Sequence, residues 1–148
     1  MWSDAKAALR TALGTVAITS PSAVSIKSVY AEPPPSIDEG MVPAIVIGDS
    51  SFDDEWASGL ALESYEVECF MMFRLADVVQ AIPYAEAWRQ AIKSALRSRA
   101  KLGRAEVTLQ GGSYGRLTTV DYAGKSFDGF TFTLRMTIND EAPGFAAG

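Results

Sequence analysis

Four carboxylates, Asp49, Asp53, Asp54 and Glu55, lie within seven positions. Carboxylates alone can serve two chemistries, a glycosidase acid/base pair and a divalent-metal site. Their spacing does not follow the twelve-residue calcium loop, and acids clustered in a loop are ordinarily solvated. Composition closes the other common routes to catalysis. The chain has no histidine, which removes the commonest base near neutral pH and the commonest zinc nitrogen. Its single cysteine, Cys69, sits in an apolar strand-like run and can make neither a sulfur-rich metal site nor a Cys/His pair. Gly111-Gly112-Ser113-Tyr114-Gly115-Arg116 lacks the Lys-Ser/Thr ending of a phosphate-binding loop, and the glycines spell no dinucleotide fingerprint. These residues compose no enzyme, and no catalytic, cofactor-binding or metal-binding residue is expected.

Charge is more informative. Ten acidic residues and no basic one lie between Ser28 and Phe73: Glu32, Asp38, Glu39, Asp49, Asp53, Asp54, Glu55, Glu63, Glu66 and Glu68. The cations gather afterwards at Arg89, Lys93, Arg97, Arg99, Lys101 and Arg104. A net charge of -5 disfavours a free-standing nucleic-acid binder, which normally carries a basic field. Segregated signs instead allow the acidic surface of one subunit to meet the basic surface of another. Arg89, Lys93 and Arg97 recur every fourth residue, and no aromatic residues interleave with them as a base-stacking platform requires. They are either a solvated helix face or a protein-docking ridge.

The elements that carry these residues follow from periodicity. Residues 1–13 read as a helix with Ser3 as N-cap, an apolar stripe of Ala5, Ala8, Leu9 and Ala12, and Gly14 as a stop. Residues 24–30 and 41–48 read as strands, with Pro43 near the start of the second. Between them, Glu32-Pro33-Pro34-Pro35-Ser36 is a rigid connector. Residues 49–59 read as a loop, or a loop with one helical turn. Residues 60–73 form a strand that turns Tyr65, Val67, Cys69, Met71 and Phe73 to a core. Its other face carries Glu66 and Glu68, then Phe70 and Met72. The apolar end either lies under a helix or enters a subunit interface.

Residues 83–101 form the main helix, with 77–82 a turn or short helix before it and Pro83 at its first position. Tyr84, Trp88, Ile92, Ala95 and Leu96 face the sheet, and the basic ridge lies on the opposite flank. Extended segments follow from Val107, over 116–122, and over 127–139 with a bend at Asp128-Gly129. In the last, Phe130, Phe132, Leu134, Met136 and Ile138 point inward. The tail 140–148 is expected to be mobile in an isolated subunit. The fold class is thus α+β: a mixed, mainly antiparallel sheet, one main helix packed on one face, and an N-terminal helix at the edge.

At 148 residues and 48% apolar content the chain fits one domain. No apolar run reaches the ~20 residues that span a bilayer. Lys6 and Arg10 precede a short apolar stretch, but Gly14 interrupts it and Asp4 occupies what would be its basic end. An amphipathic helix is expected there rather than a signal peptide. One cysteine forms no internal disulfide, so the cytosol is the default compartment.

The order of elements resembles the tail terminator proteins of long-tailed bacteriophages, together with related minor tail and tail-completion proteins. The matching features are the N-terminal helix, Val29-Tyr30-Ala31-Glu32-Pro33-Pro34, Val42-Pro43-Ala44-Ile45-Val46-Ile47, the strand from Tyr65 to Phe73, the helix from Ala85 to Leu96, and the last hairpin through Tyr122, Phe127, Gly129 and Phe130. Residues 49–59 depart from the pattern.

The resemblance implies a structural virion protein of the tail or neck, assembled in the host cytoplasm. Its partners would be itself, as a hexameric ring, the tail tube protein and the head-tail connector. DNA would pass only as cargo, and no membrane or cofactor is implied. Such a ring stops tube polymerisation. Two other readings stay open: another connector or minor tail component, or a small-molecule- or metal-binding accessory domain on the acidic segment. The expected interface residues are Arg89, Lys93 and Arg97 meeting Glu66, Glu68, Asp53 and Asp54 of a neighbour, with Phe70 and Met72 as apolar contributors. Exposed ion pairs contribute about 0.2–1 kcal/mol each, so they would tune orientation rather than hold a ring alone.

Overall fold

Alternation at every second residue decides the architecture. Tyr65, Val67, Cys69, Met71 and Phe73 are all buried, as are Phe130, Phe132, Leu134, Met136 and Ile138, so two long strands turn one face each to a common core. The computed structural model describes residues 2–19, 23–57, 60–74, 81–98 and 107–139, with the backbone alone for 54–57, 60–62 and 139. Its elements are α1 (Trp2–Leu13), β1 (Ala17–Ile18), β2 (Val24–Ser25), β3 (Ser28–Tyr30), β4 (Ala44–Ala57), β5 (Leu60–Phe73), α2 (Ala81–Arg97), β6 (Val107–Tyr114), β7 (Thr118–Tyr122) and β8 (Lys125–Asn139). A single 3-10 turn, Glu39–Met41, precedes β4.

The main sheet runs β3-β4-β5-β8-β6, and only the β3–β4 pair is parallel. β7 pairs with the first part of β8 on the same margin that β6 occupies further along. β1 and β2 form a separate antiparallel pair. Both helices cover one face of the main sheet: Ala5, Leu9, Ala12 and Leu13 of α1 and Ala85, Trp88, Ile92 and Leu96 of α2 join the inward residues of β5 and β8 in one core. This is the expected α+β class, a mostly antiparallel sheet with one main helix and an N-terminal helix. Among the described residues no helix is long and apolar enough to cross a membrane.

Several boundaries differ from the sequence expectation. The segment 24–30 is not one strand; β2 and β3 pair with different partners. Ser3 lies inside the first turn of α1 rather than before it. α2 begins at Ala81, so Pro83 is its third residue, where an absent N–H still removes no intrahelical bond. β6 runs through Gly111 and Gly112, with an irregularity between Leu109 and Gly111. β8 is continuous through Asp128 and Gly129. Gly129 is required there because a Cβ would overlap the Met71 carbonyl oxygen on the neighbouring strand. Lys101 and the tail 140–148 lie outside the described residues.

The largest correction concerns residues 49–57, expected to be loop. They continue β4, with Ser51 opposite Glu66, Asp53 opposite Ser64 and Ala57 opposite Leu60. An acidic, polar stretch can be a strand because its partner β5 supplies the ladder and the side chains of Asp49, Ser51 and Asp53 remain in water.

The second correction concerns Met72. It is fully buried, and what covers it is neither a helix nor another subunit. Ile37 and Val42 fold over the outer face of the sheet and form a second core with Ala44, Val46, Met72, Val120 and Phe127, against which Phe70, Tyr30 and Tyr122 pack. The proline-rich connector is thus a strap. Lys6 pairs with Glu32, Tyr122 donates a hydrogen bond to the Pro34 carbonyl, Lys125 pairs with Asp38 at 3.7 Å, and Arg74 pairs with Glu39 at 2.5 Å.

Candidate subunit interface at the two open sheet edges

A sheet with free margins presents unpaired backbone groups to any strand that fits them. β3 covers β4 only at Ala44, Ile45 and Val46, so among the described residues the acidic remainder of β4 has no outer partner. On the opposite margin, β6 has only β8 beside it among the described residues.

The register places the two open stretches at one height. Ser51 stands level with Glu66, Arg135 and Gly111, one row across four strands. Phe52, Tyr65, Met136 and Leu109 make the adjacent row, on the helix-covered face, since Tyr65 and Met136 belong to the main core.

At the β4 margin, Phe52 is 57% exposed, with one side of its ring against Tyr65 at 5.3 Å between centroids. Tyr65 also stacks on Trp2 at 4.4 Å. Asp49 and Asp53 are exposed, and Asp49 accepts a hydrogen bond from the Ser50 amide at 2.9 Å. A depression on the outer face is lined by Asp49, Ser51, Glu66, Glu68 and Thr133.

At the β6 margin a cleft of about 450 Å³ opens between α2 and the strand, lined by Lys93, Arg97, Leu109, Gly111, Tyr114 and Arg135, among others. Lys93 and Arg97 approach from the helix side. Arg135 stands on the other face and lies over the edge, because Gly111, at φ +154°, has no side chain there; a Cβ would stand 3.1 Å from the Arg135 Nη2. Among the described residues, Lys93, Arg97 and Arg135 have no ion-pair partner. Tyr114 forms an apolar wall, stacked on Phe132 at 5.7 Å. Burial pushes its phenol above the usual value, the neighbouring Cys69 raises it further, and Arg97 opposes the shift.

The expected interface residues therefore divide. Lys93 and Arg97 stand together at the cleft, and Glu66, Glu68 and Asp53 are exposed on the acidic side. Asp54 lies in β4 opposite Glu63; its side chain is outside the described residues. Arg89 does not share an exposed ridge. It is half-buried, donates a hydrogen bond to the Gly115 carbonyl at 3.1 Å, and lies 5.8 Å from the centre of the Phe130 ring. Phe70 is half-buried in the second core and Met72 wholly so. Sequence reasoning missed Arg135, Tyr114 and Leu109. Alternation along β8 already turned Arg135 outward, but only register places it beside β6.

Among the described residues no three Asp, Glu, Cys or His side chains converge as a metal site would require. Cys69 is buried, and desolvation pushes its thiol up to about 12. In comparison with known proteins, no family model and no curated protein matches the chain.

Proposed function

We propose that this chain is a structural virion protein that forms a homo-oligomeric ring on the end of a phage tail tube, stops tube polymerisation and contributes to the head-tail joint. One observation carries the self-assembly: among the described residues, the two lateral margins of a single sheet have no further strand beside them at the same height, one acidic and one flanked by cations. Two different, complementary patches on opposite sides make a heterologous contact, and such contacts close into rings when the rotation per subunit permits. The tail-tube context rests on the resemblance in element order. Hexamer number, the tube and the connector as partners, and DNA as passing cargo belong to this same reading.

The test is native mass spectrometry of the chain over a wide concentration range, alone and with tail-tube protein. A closed oligomer that binds the tube end and halts its growth is expected. A monomer at every concentration, indifferent to the tube protein, would refute the ring.

A further inference from the structure

We propose that the acidic half of β4, whose outer edge has no strand beside it among the described residues, adds by that edge to the outer edge of β6 in the next copy of this chain as an antiparallel strand, in the cleft flanked by Lys93, Arg97 and Arg135. One sheet then continues from subunit to subunit. This rests on the ring reading above and names the contact that builds the ring.

Strand direction supports it. β4 runs antiparallel to β5, β5 to β8 and β8 to β6, so β4 and β6 run in opposite directions. A copy displaced sideways therefore offers its β4 to β6 in the antiparallel sense, which has the better hydrogen-bond geometry. Register limits where the edge can add. β3 occupies the outer edge of β4 at Ala44 to Val46, and the same height on the other margin is filled by residues 115–118, through Gly115 beside Thr131 and Thr118 beside Gly129. The two copies therefore join over residues 49–53 only, and the incoming sheet must splay away from β7 beyond them, in keeping with the twist between strands.

Chemistry agrees on both faces. On the outer face, Asp49 and Asp53 approach Arg135. On the helix face, the exposed Phe52 ring comes level with Leu109 and beside Tyr114, two apolar walls of the cleft. Gly111 and Gly112 present backbone without side chains, which lets a strand approach closely. The acids also act against the wrong pairing. Two β4 edges brought together would oppose like charges, so the symmetric dimer is disfavoured and the head-to-tail contact preferred. The twist between neighbouring strands supplies a rotation at each joint.

The experiment uses the full chain in two variants, Arg135→Glu with Lys93→Glu and Arg97→Glu, and Asp49→Lys with Asp53→Lys, with circular dichroism to confirm that each folds. Sedimentation equilibrium at low salt should show self-association weakened about 100-fold in each variant, because attraction becomes like-charge repulsion across the joint. Mixing the two variants one to one should restore assembly, since each copy then meets a complementary neighbour on both sides. Restoration in the mixture is a result that misfolding does not produce.

Wild-type assembly together with unchanged assembly of both variants would overturn the strand-addition contact and leave the ring standing. Loss in both variants without recovery on mixing would also overturn it. A wild type that never assembles, with or without tube protein, would overturn the ring and this contact together.

Discussion

The Tyr122 hydroxyl donates a hydrogen bond to the Pro34 carbonyl, joining residues 88 positions apart. That bond fastens the proline-rich strap to β7 and closes the second core over Ile37, Val42 and Met72. Prolines donate no backbone hydrogen bonds, so the strap depends on contacts of this kind and on the burial of Ile37, which is 1% exposed. The sheet is consequently covered on both faces at this end, whereas at the end where β4 is acidic its outer face is open to water.

Tyr122→Phe removes one hydrogen bond and leaves the ring in place, so it should cost about 0.5–1.5 kcal/mol in urea unfolding. Ile37→Ala should cost about 2–5 kcal/mol, because it empties a buried site that the strap alone fills. Equal, negligible effects would mean that the strap contributes nothing to the fold.

Met72→Ala should destabilise the isolated subunit by about 2–5 kcal/mol, measured by chemical unfolding at concentrations too low for assembly. An interface residue would behave otherwise, leaving subunit stability intact and weakening only association. The complete burial of Met72 within one chain sets the expected outcome.

Trp88→Ala should cost about 3–5 kcal/mol, since Trp88 is wholly buried between α2 and the sheet. Trp88→Phe should cost markedly less. The buried indole nitrogen has no hydrogen-bond partner among the described residues, so phenylalanine loses volume without breaking a polar contact. Equal losses for the two variants would contradict this assignment.

Cys69 gives the fold an alkaline sensitivity. Burial, chiefly, raises its folded pKa from 9.0 to about 12; a backbone hydrogen bond with Gly48 opposes the shift and Glu68 adds to it. Below pH 9 folded and unfolded chains both keep the proton, so the contribution to stability is full. Between pH 9 and about 12 the unfolded chain releases it first, and stability falls as pH rises. Urea midpoints followed from neutral pH to about pH 11 should decline more steeply for the wild type than for Cys69→Ala. The native thiol should also resist thiol-directed reagents until the chain unfolds.

Residue order by itself determined the helices, the long inward-facing strands and the sign partition, because these depend on local periodicity and composition. Trp88, Ile92 and Leu96 fall at helical spacing and Phe130 to Ile138 at strand spacing, and each set is buried where the pattern puts it. Tertiary structure decided the rest. The acidic residues 49–57 carry no strand signal of their own, and only pairing with β5 makes them one. Met72 and Arg89 looked available for a neighbour because local pattern cannot reveal a strap some 30 residues upstream of Met72, or the Gly115 carbonyl that holds Arg89. The level row of Ser51, Glu66, Arg135 and Gly111 is likewise invisible in the sequence. Register is a property of strands brought together from distant parts of the chain, and it alone sets the acidic margin and the basic cleft at the same height.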